Sequence, residues 1–139
     1  MKALTIWQPW ASMIVGGWKP YEFRNWAAPA SIVGQRIAIH AAKRPIKAGE
    51  LRDIMDYVCS PDGQRDGIDP ACMDLLEQTW IRDELPRSAV LGTALLGKPD
   101  IAARNTVGVR YAWPMMAVES FAKPIPAKGA QGFWEWRHE

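Results

Sequence analysis

Apolar positions come first in short runs and alternations, then at helical spacing, then in runs again. Leu4 to Trp7 is a short apolar run that predicts a strand. Trp10, Met13 and Ile14 then share one helical face. Pro9 suits the first turn, where its missing N–H costs nothing, and Gly16-Gly17 ends the helix. Alternation from Tyr21 to Arg24 predicts a strand with Tyr21 and Phe23 on one side and Glu22 and Arg24 on the other. Residues 27–36 read as a loop. Arg36 to Ala42 reads as a strand with Ile37 and Ile39 inward and His40 on the opposite face.

The period changes after residue 48. Leu51, Ile54, Met55 and Val58 line one side of a helix over 49–59, and residues 60–70 read as a loop. A second helix over 70–83 has Asp69 as its N-cap, Pro70 at its start, and Met73, Leu76 and Trp80 at helical spacing. Ser88 to Leu96 is apolar on both sides in part, which predicts a central strand. Residues 97–112 read as loop-like and Met115 to Phe121 as a strand. Pro124 and Pro126 mark an edge or turn, and Phe133, Trp134 and Trp136 lie in a closing strand. About five or six short strands with three helices and no βαβ rhythm predict a mostly β (α+β) fold. The expected architecture is a small β-barrel forming one domain over 1–139, with a helical insertion at about 49–83.

Composition changes this picture only in places. At 139 residues, 48% hydrophobic and 23% charged, the chain can bury a moderate core and is not disordered. Eight tryptophans are unusual for that length. Trp7, Trp80 and Trp134 are expected to pack the core, whereas Trp10, Trp18 and Trp26 surround a group of charges and are expected to wall a cleft. No apolar run approaches a membrane span, and the N-terminus lacks the apolar region of a signal peptide. Cys59 and Cys72 lie without a second pair, which is not zinc-site spacing. Reduced thiols, no metal, no cofactor and a cytoplasmic location are expected.

The net charge of +2 hides a partition. Residues 1–52 carry eight basic side chains against Glu22 and Glu50, and residues 53–85 carry nine acidic ones against Arg65 and Arg82. Residues 86–139 carry seven basic against four acidic. Two basic segments folded together would present a polyanion-binding surface; equally, each segment would simply solvate its own face.

The densest candidate chemistry lies in residues 7–26. A turn carrying Lys19 leads into a strand that puts Glu22 and Arg24 on one face. Arginine offers a planar fork and lysine a mobile point charge, while Trp10, Trp18 or Trp26 can stack a base. Lys19 beside Glu22 is also a candidate catalytic pair, glutamate moving a proton and lysine holding an anion. A surface strand with a Lys19–Glu22 or Glu22–Arg24 ion pair of little energetic weight fits the same spacing. His40 is a candidate base, or else a hydrogen-bonded structural histidine. Lys43, Arg44 and Lys47 form a modest basic patch suited to phosphates, and Lys19, Arg24, Lys43 and Lys128 are the candidate phosphate contacts. Near the C-terminus, Lys128 and Gln131 sit in a glycine-bearing turn, where Gln131 can read a base edge.

The block WQPWASMIVGGWKPYEFRNW (7–26), the strand RIAIHAAKR (36–44) and the closing KGAQGFWEW (128–136) resemble the ASCH domain family of the PUA-like superfamily. The likeness covers most of the chain in order, with 49–83 as the variable insertion. It implies a small β-barrel related to RNA-binding domains, with a cleft between barrel and helices, and RNA or a nucleotide as partner. Some members are similar to ribonucleases. Others are amidohydrolases acting on N4-acetylcytidine, with a site lysine, threonine and distant glutamate. Lys19 matches that lysine. The threonine position falls on Glu22, and the distant glutamate has no match, since Glu77 and Glu84 lie in the insertion and Glu119 on another strand. The resemblance therefore implies RNA or nucleotide binding first, with a hydrolase acting on RNA or a modified nucleoside as the alternative.

Overall fold

The computed structural model describes residues 1–105 and 108–138. The strands are β1 (Lys2–Ile6), β2 (Tyr21–Arg24), β3 (Arg36–Ala41), β4 (Ala89–Leu96), β5 (Asp100–Asn105), β6 (Gly108–Pro126) and β7 (Phe133–Glu135). The helices are α1 (Trp10–Val15), α2 (Glu50–Val58), α3 (Pro61–Arg65) and α4 (Met73–Ile81). No helix among the described residues is long and apolar enough to cross a membrane.

All seven strands join one sheet in the order β2-β6-β4-β3-β1-β7, with β5 pairing β6. β4 is central, as its apolar faces require. β6 is long because it serves two partnerships. Its first part pairs with β2 and β5, and from Met115 onward it pairs with β4. The register slips between Thr93 and Leu95 on β4, where Ala117 takes φ 45° on β6. An irregularity of this kind bends a strand and strengthens its twist.

The expected closed barrel is not formed. β2 and β7 are the two ends of the strand path, and no backbone ladder among the described residues joins them. Side chains span the seam instead. Arg24 Nη2 donates to the Thr5 carbonyl at 3.2 Å, and Trp26, whose carbonyl accepts from Trp113 Nε1 at 3.1 Å on the β2 side, meets Phe133 edge-on. β7 is only three residues long, which limits how much edge it offers.

Two apolar clusters meet at α1. Ala11 and Ile14 pack with Leu4, Ile37, Ile39, Leu96 and Trp113 of the sheet. Met13 packs with Leu51, Ile54, Val58, Cys72 and Leu76 of the helical segment. This explains why an acidic, helical stretch docks on a β scaffold: α1 presents one apolar face to each. Residues 60–70, expected as loop, contain α3, which Ser60 caps by accepting from Gly63 N–H at 3.2 Å. Asp69 caps the turn at Pro70–Cys72 that leads into α4. Residues 97–112, also expected as loop-like, form β5 and the start of β6, and Pro124 and Pro126 lie within β6.

The tryptophans divide differently from expectation. Trp7 is 53% exposed and Trp80 58% exposed, so neither is a core residue. Trp113 is fully buried and stacks on Phe133 at 5.6 Å between ring centroids. Trp134 does pack, against Ala3, Ala38 and Val90.

Candidate nucleic-acid interface

The unclosed seam is where the main cavity lies. It measures about 820 Å³ and is lined by the ends of β1 and β2, by α1 and α2, and by the 130–132 loop. Its position follows from local sequence. α1 stops at Gly16, and Gly17 takes φ 82°, a conformation glycine adopts without cost. The N–H groups of Trp18 and Lys19 then both donate to the Met13 carbonyl. The chain reverses there, tucking Lys19 under α1 before β2 begins.

Lys19 is only 4% exposed. Its Nζ donates to the Tyr21 carbonyl and to Glu22 Oε1 at 3.4 Å, and lies 5.5 Å and 5.0 Å from the ring centres of Trp10 and Phe23. Burial pushes its pKa below the usual lysine value, and the Glu22 carboxylate opposes that shift. The other Glu22 oxygen accepts from Arg24 Nε at 3.0 Å. One carboxylate thus sits between two cations inside the cavity wall, and Arg24 is anchored further by its bond to Thr5.

Aromatic surface makes up much of the rest. Trp7, Trp10, Phe23, Trp26 and Tyr57 all line the cavity, and Gln131 stands at its loop side. Trp7 carries Arg44 stacked 3.9 Å above its ring, and Arg44 pairs with Glu50 at 2.9 Å. Across the cavity, Arg110 lies 3.8 Å over Phe23 and 3.7 Å from Asp66. Asp66 also accepts from the Tyr57 hydroxyl at 2.5 Å, and burial with this bond raises the phenol pKa above its ordinary range. This group ties the helical segment to β6 at the cavity wall.

Of the candidates, Trp10, Lys19, Glu22, Arg24, Trp26 and Gln131 share this cavity. Trp18 does not. It packs on the helical cluster and lies against Gly16, leaving it outside the cleft wall. His40, Lys43 and Lys128 line a second cavity, also about 820 Å³, with Ser88 and the 126–131 segment. Thr5, Ala130 and Gln131 border both cavities.

His40 is 2% exposed and both ring nitrogens are engaged. Nδ1 meets Thr5 Oγ1 at 3.1 Å and Nε2 meets the Ala127 carbonyl at 2.7 Å. The carbonyl can only accept, so Nε2 carries a proton. Trp134 Nε1 donates to Thr5 Oγ1 at 2.9 Å, leaving the Thr5 hydroxyl to donate to Nδ1. That chain suits a neutral imidazole, and burial lowers the His40 pKa, opposed by its bond to Ala127. The geometry is that of a tether holding the 127–132 loop, and His40 lines the second cavity, not the one that holds the Lys19–Glu22 pair. Among the described residues, no three of His, Cys, Asp or Glu gather as a metal site requires. Cys59 and Cys72 are both free.

Sequence reasoning missed Thr5, Trp7, Phe23, Asp53, Tyr57 and Arg110 as cavity residues, and placed Phe23 on the face opposite Glu22 and Arg24. Thr5 and Trp7 follow from the strand that ends at the seam. Arg110 carried no local signal, lying in the 97–112 stretch that reads as loop-like.

A family model for the ASCH domain matches residues 4–93, which run from within β1 to within β4 and include the Lys19–Glu22–Arg24 turn. The chain belongs to the ASCH domain family, within the PUA-like superfamily. No curated protein sequence matches it.

Proposed function

We propose that this protein binds single-stranded RNA or a nucleotide, taking a base into the cavity at the open seam of the sheet. The observation that carries this reading is the convergence there of Lys19, Glu22 and Arg24 with Trp10, Trp26 and Phe23. Aromatic faces stack any base, and a fixed set of donors and acceptors reads its edge. Cavities of a few hundred to about 1,000 Å³ suit small ligands, and 820 Å³ falls in that range. Nucleic-acid association is general among ASCH domains, which supports the same reading.

A second reading is favoured by one feature. A buried lysine with a depressed pKa, touching a carboxylate in a cleft, is an arrangement often found where bonds are broken. On that reading the protein hydrolyses RNA or a modified nucleoside such as N4-acetylcytidine. Glu22 stands where the amidohydrolase pattern has threonine, and here it is held between Lys19 and Arg24, which favours binding over deacetylation.

Incubation with short single-stranded RNA, followed for both retention and cleavage, tests the two together. Retention without cleavage supports the first reading. Cleavage, or deacetylation of N4-acetylcytidine in a parallel reaction, supports the second, and a protein that retains no RNA, binds no nucleotide and turns nothing over refutes both.

A further inference from the structure

The two cavities differ in charge. In the main one the cations already have partners: Lys19 and Arg24 share Glu22, and Arg110 lies beside Asp66. Asp53 adds a further carboxylate to the lining. Aromatic walls with balanced charge favour a neutral, planar group and give a phosphate little net attraction. The second cavity holds Lys43 and Lys128 and no carboxylate. Neither lysine has an ion pair among the described residues, and both are exposed.

The second cavity has further donors. Lys128, Gly129, Ala130 and Gln131 line it, and no backbone N–H among these four donates to another described residue. Ser88 lines this cavity with φ 50°, a region that non-glycine residues seldom occupy. The wall between the cavities is thin, since Thr5, Ala130 and Gln131 border both. It is also fixed. His40 holds Ala127, and a Cβ on Gly129 would come within 2.6 Å of His40 Cε1 and 2.7 Å of Thr5 Oγ1.

We infer that the second cavity is a phosphate site, in which Lys43 and Lys128 take the phosphate of the nucleotide whose base occupies the main cavity. The ligand is thereby a nucleotide, free or within a single strand, in preference to a bare nucleoside. This rests on the base-binding reading above and adds where the phosphate goes. The loop 127–132 is the saddle over which the sugar passes.

The test is the ratio of affinities for each of the four nucleosides and its 3′- and 5′-monophosphates, read by tryptophan fluorescence. Wild type and the double variant Lys43→Ala/Lys128→Ala are compared, with thermal unfolding as the check on folding. In wild type at least one monophosphate should bind about tenfold or more tightly than its nucleoside. In the variant that ratio should fall close to one. Equal binding of nucleoside and nucleotide by wild type, or an undiminished ratio in a folded variant, overturns the phosphate site and leaves the base site standing. Wild type that binds neither nucleosides nor nucleotides overturns both.

Discussion

Glu22 is the residue on which the main cavity depends. It is buried, and its two oxygens face Lys19 and Arg24. Neutralising it leaves a buried ammonium without its counter-charge, so Glu22→Gln should destabilise the fold by roughly 3 kcal/mol, measured by urea unfolding. His40 sets a different dependence. Its folded pKa is lowered, chiefly by burial, so the folded state binds a proton less readily than the unfolded chain. Its stabilising contribution is present above the unfolded value near 6.5 and is lost as pH falls through the lower folded value. Unfolding free energy should therefore drop on acidification below about pH 6.5, and His40→Gln should flatten that part of the profile. At this scale the sequence was informative where spacing forces proximity. Lys19, Glu22 and Arg24 lie within six residues, and a turn followed by a strand leaves them little choice but to meet. Trp18 was misleading for the same reason, because Gly16 offers its indole a place to pack on the other side of the turn.

Among the elements, the 127–132 loop and the β5–β6 pair separate what pattern reveals from what it hides. The loop has no apolar repeat, and its position comes from contacts far away in sequence: His40 on β3, Thr5 on β1 and Ser88 before β4. Gly129 therefore has no room for a side chain unless a neighbour moves. Gly129→Ala forces the loop or His40 to shift and should cost about 1–3 kcal/mol of stability, with weaker nucleotide binding, both measurable by calorimetry. β5 and the start of β6 were read as loop because many of their side chains are exposed, including Ile101, Ala103 and Arg110. Alternation marks a strand only when one face is buried. α1, β3 and β4 were legible since each meets an apolar cluster on a regular face.

For the whole molecule, the open seam matters more than the count of strands. The run of short strands without a βαβ rhythm reads as a barrel, but closure would need β2 and β7 to share a ladder. Their separation instead leaves room for Trp26, Arg24 and the cavity. Charge also acts at this scale. Most cations near the site are paired internally, leaving Lys43 and Lys128 to meet phosphate. Binding of a short single-stranded RNA should accordingly weaken only gently with salt, with a log–log slope of about −0.7 for the one phosphate held, measured by fluorescence titration across salt concentrations. A much steeper slope would mean that a broad basic face does the binding.

The most direct measurement is the affinity of Lys19→Met for a short single-stranded RNA, taken beside wild type with thermal unfolding recorded for both. Methionine keeps the chain length between Trp10 and Phe23, and Glu22 retains Arg24, so the variant should still fold, at lower stability than wild type because the Tyr21 carbonyl and one Glu22 oxygen lose their donor. The cavity reading predicts that it binds the RNA about tenfold or more weakly. A folded Lys19→Met protein with wild-type affinity would contradict it.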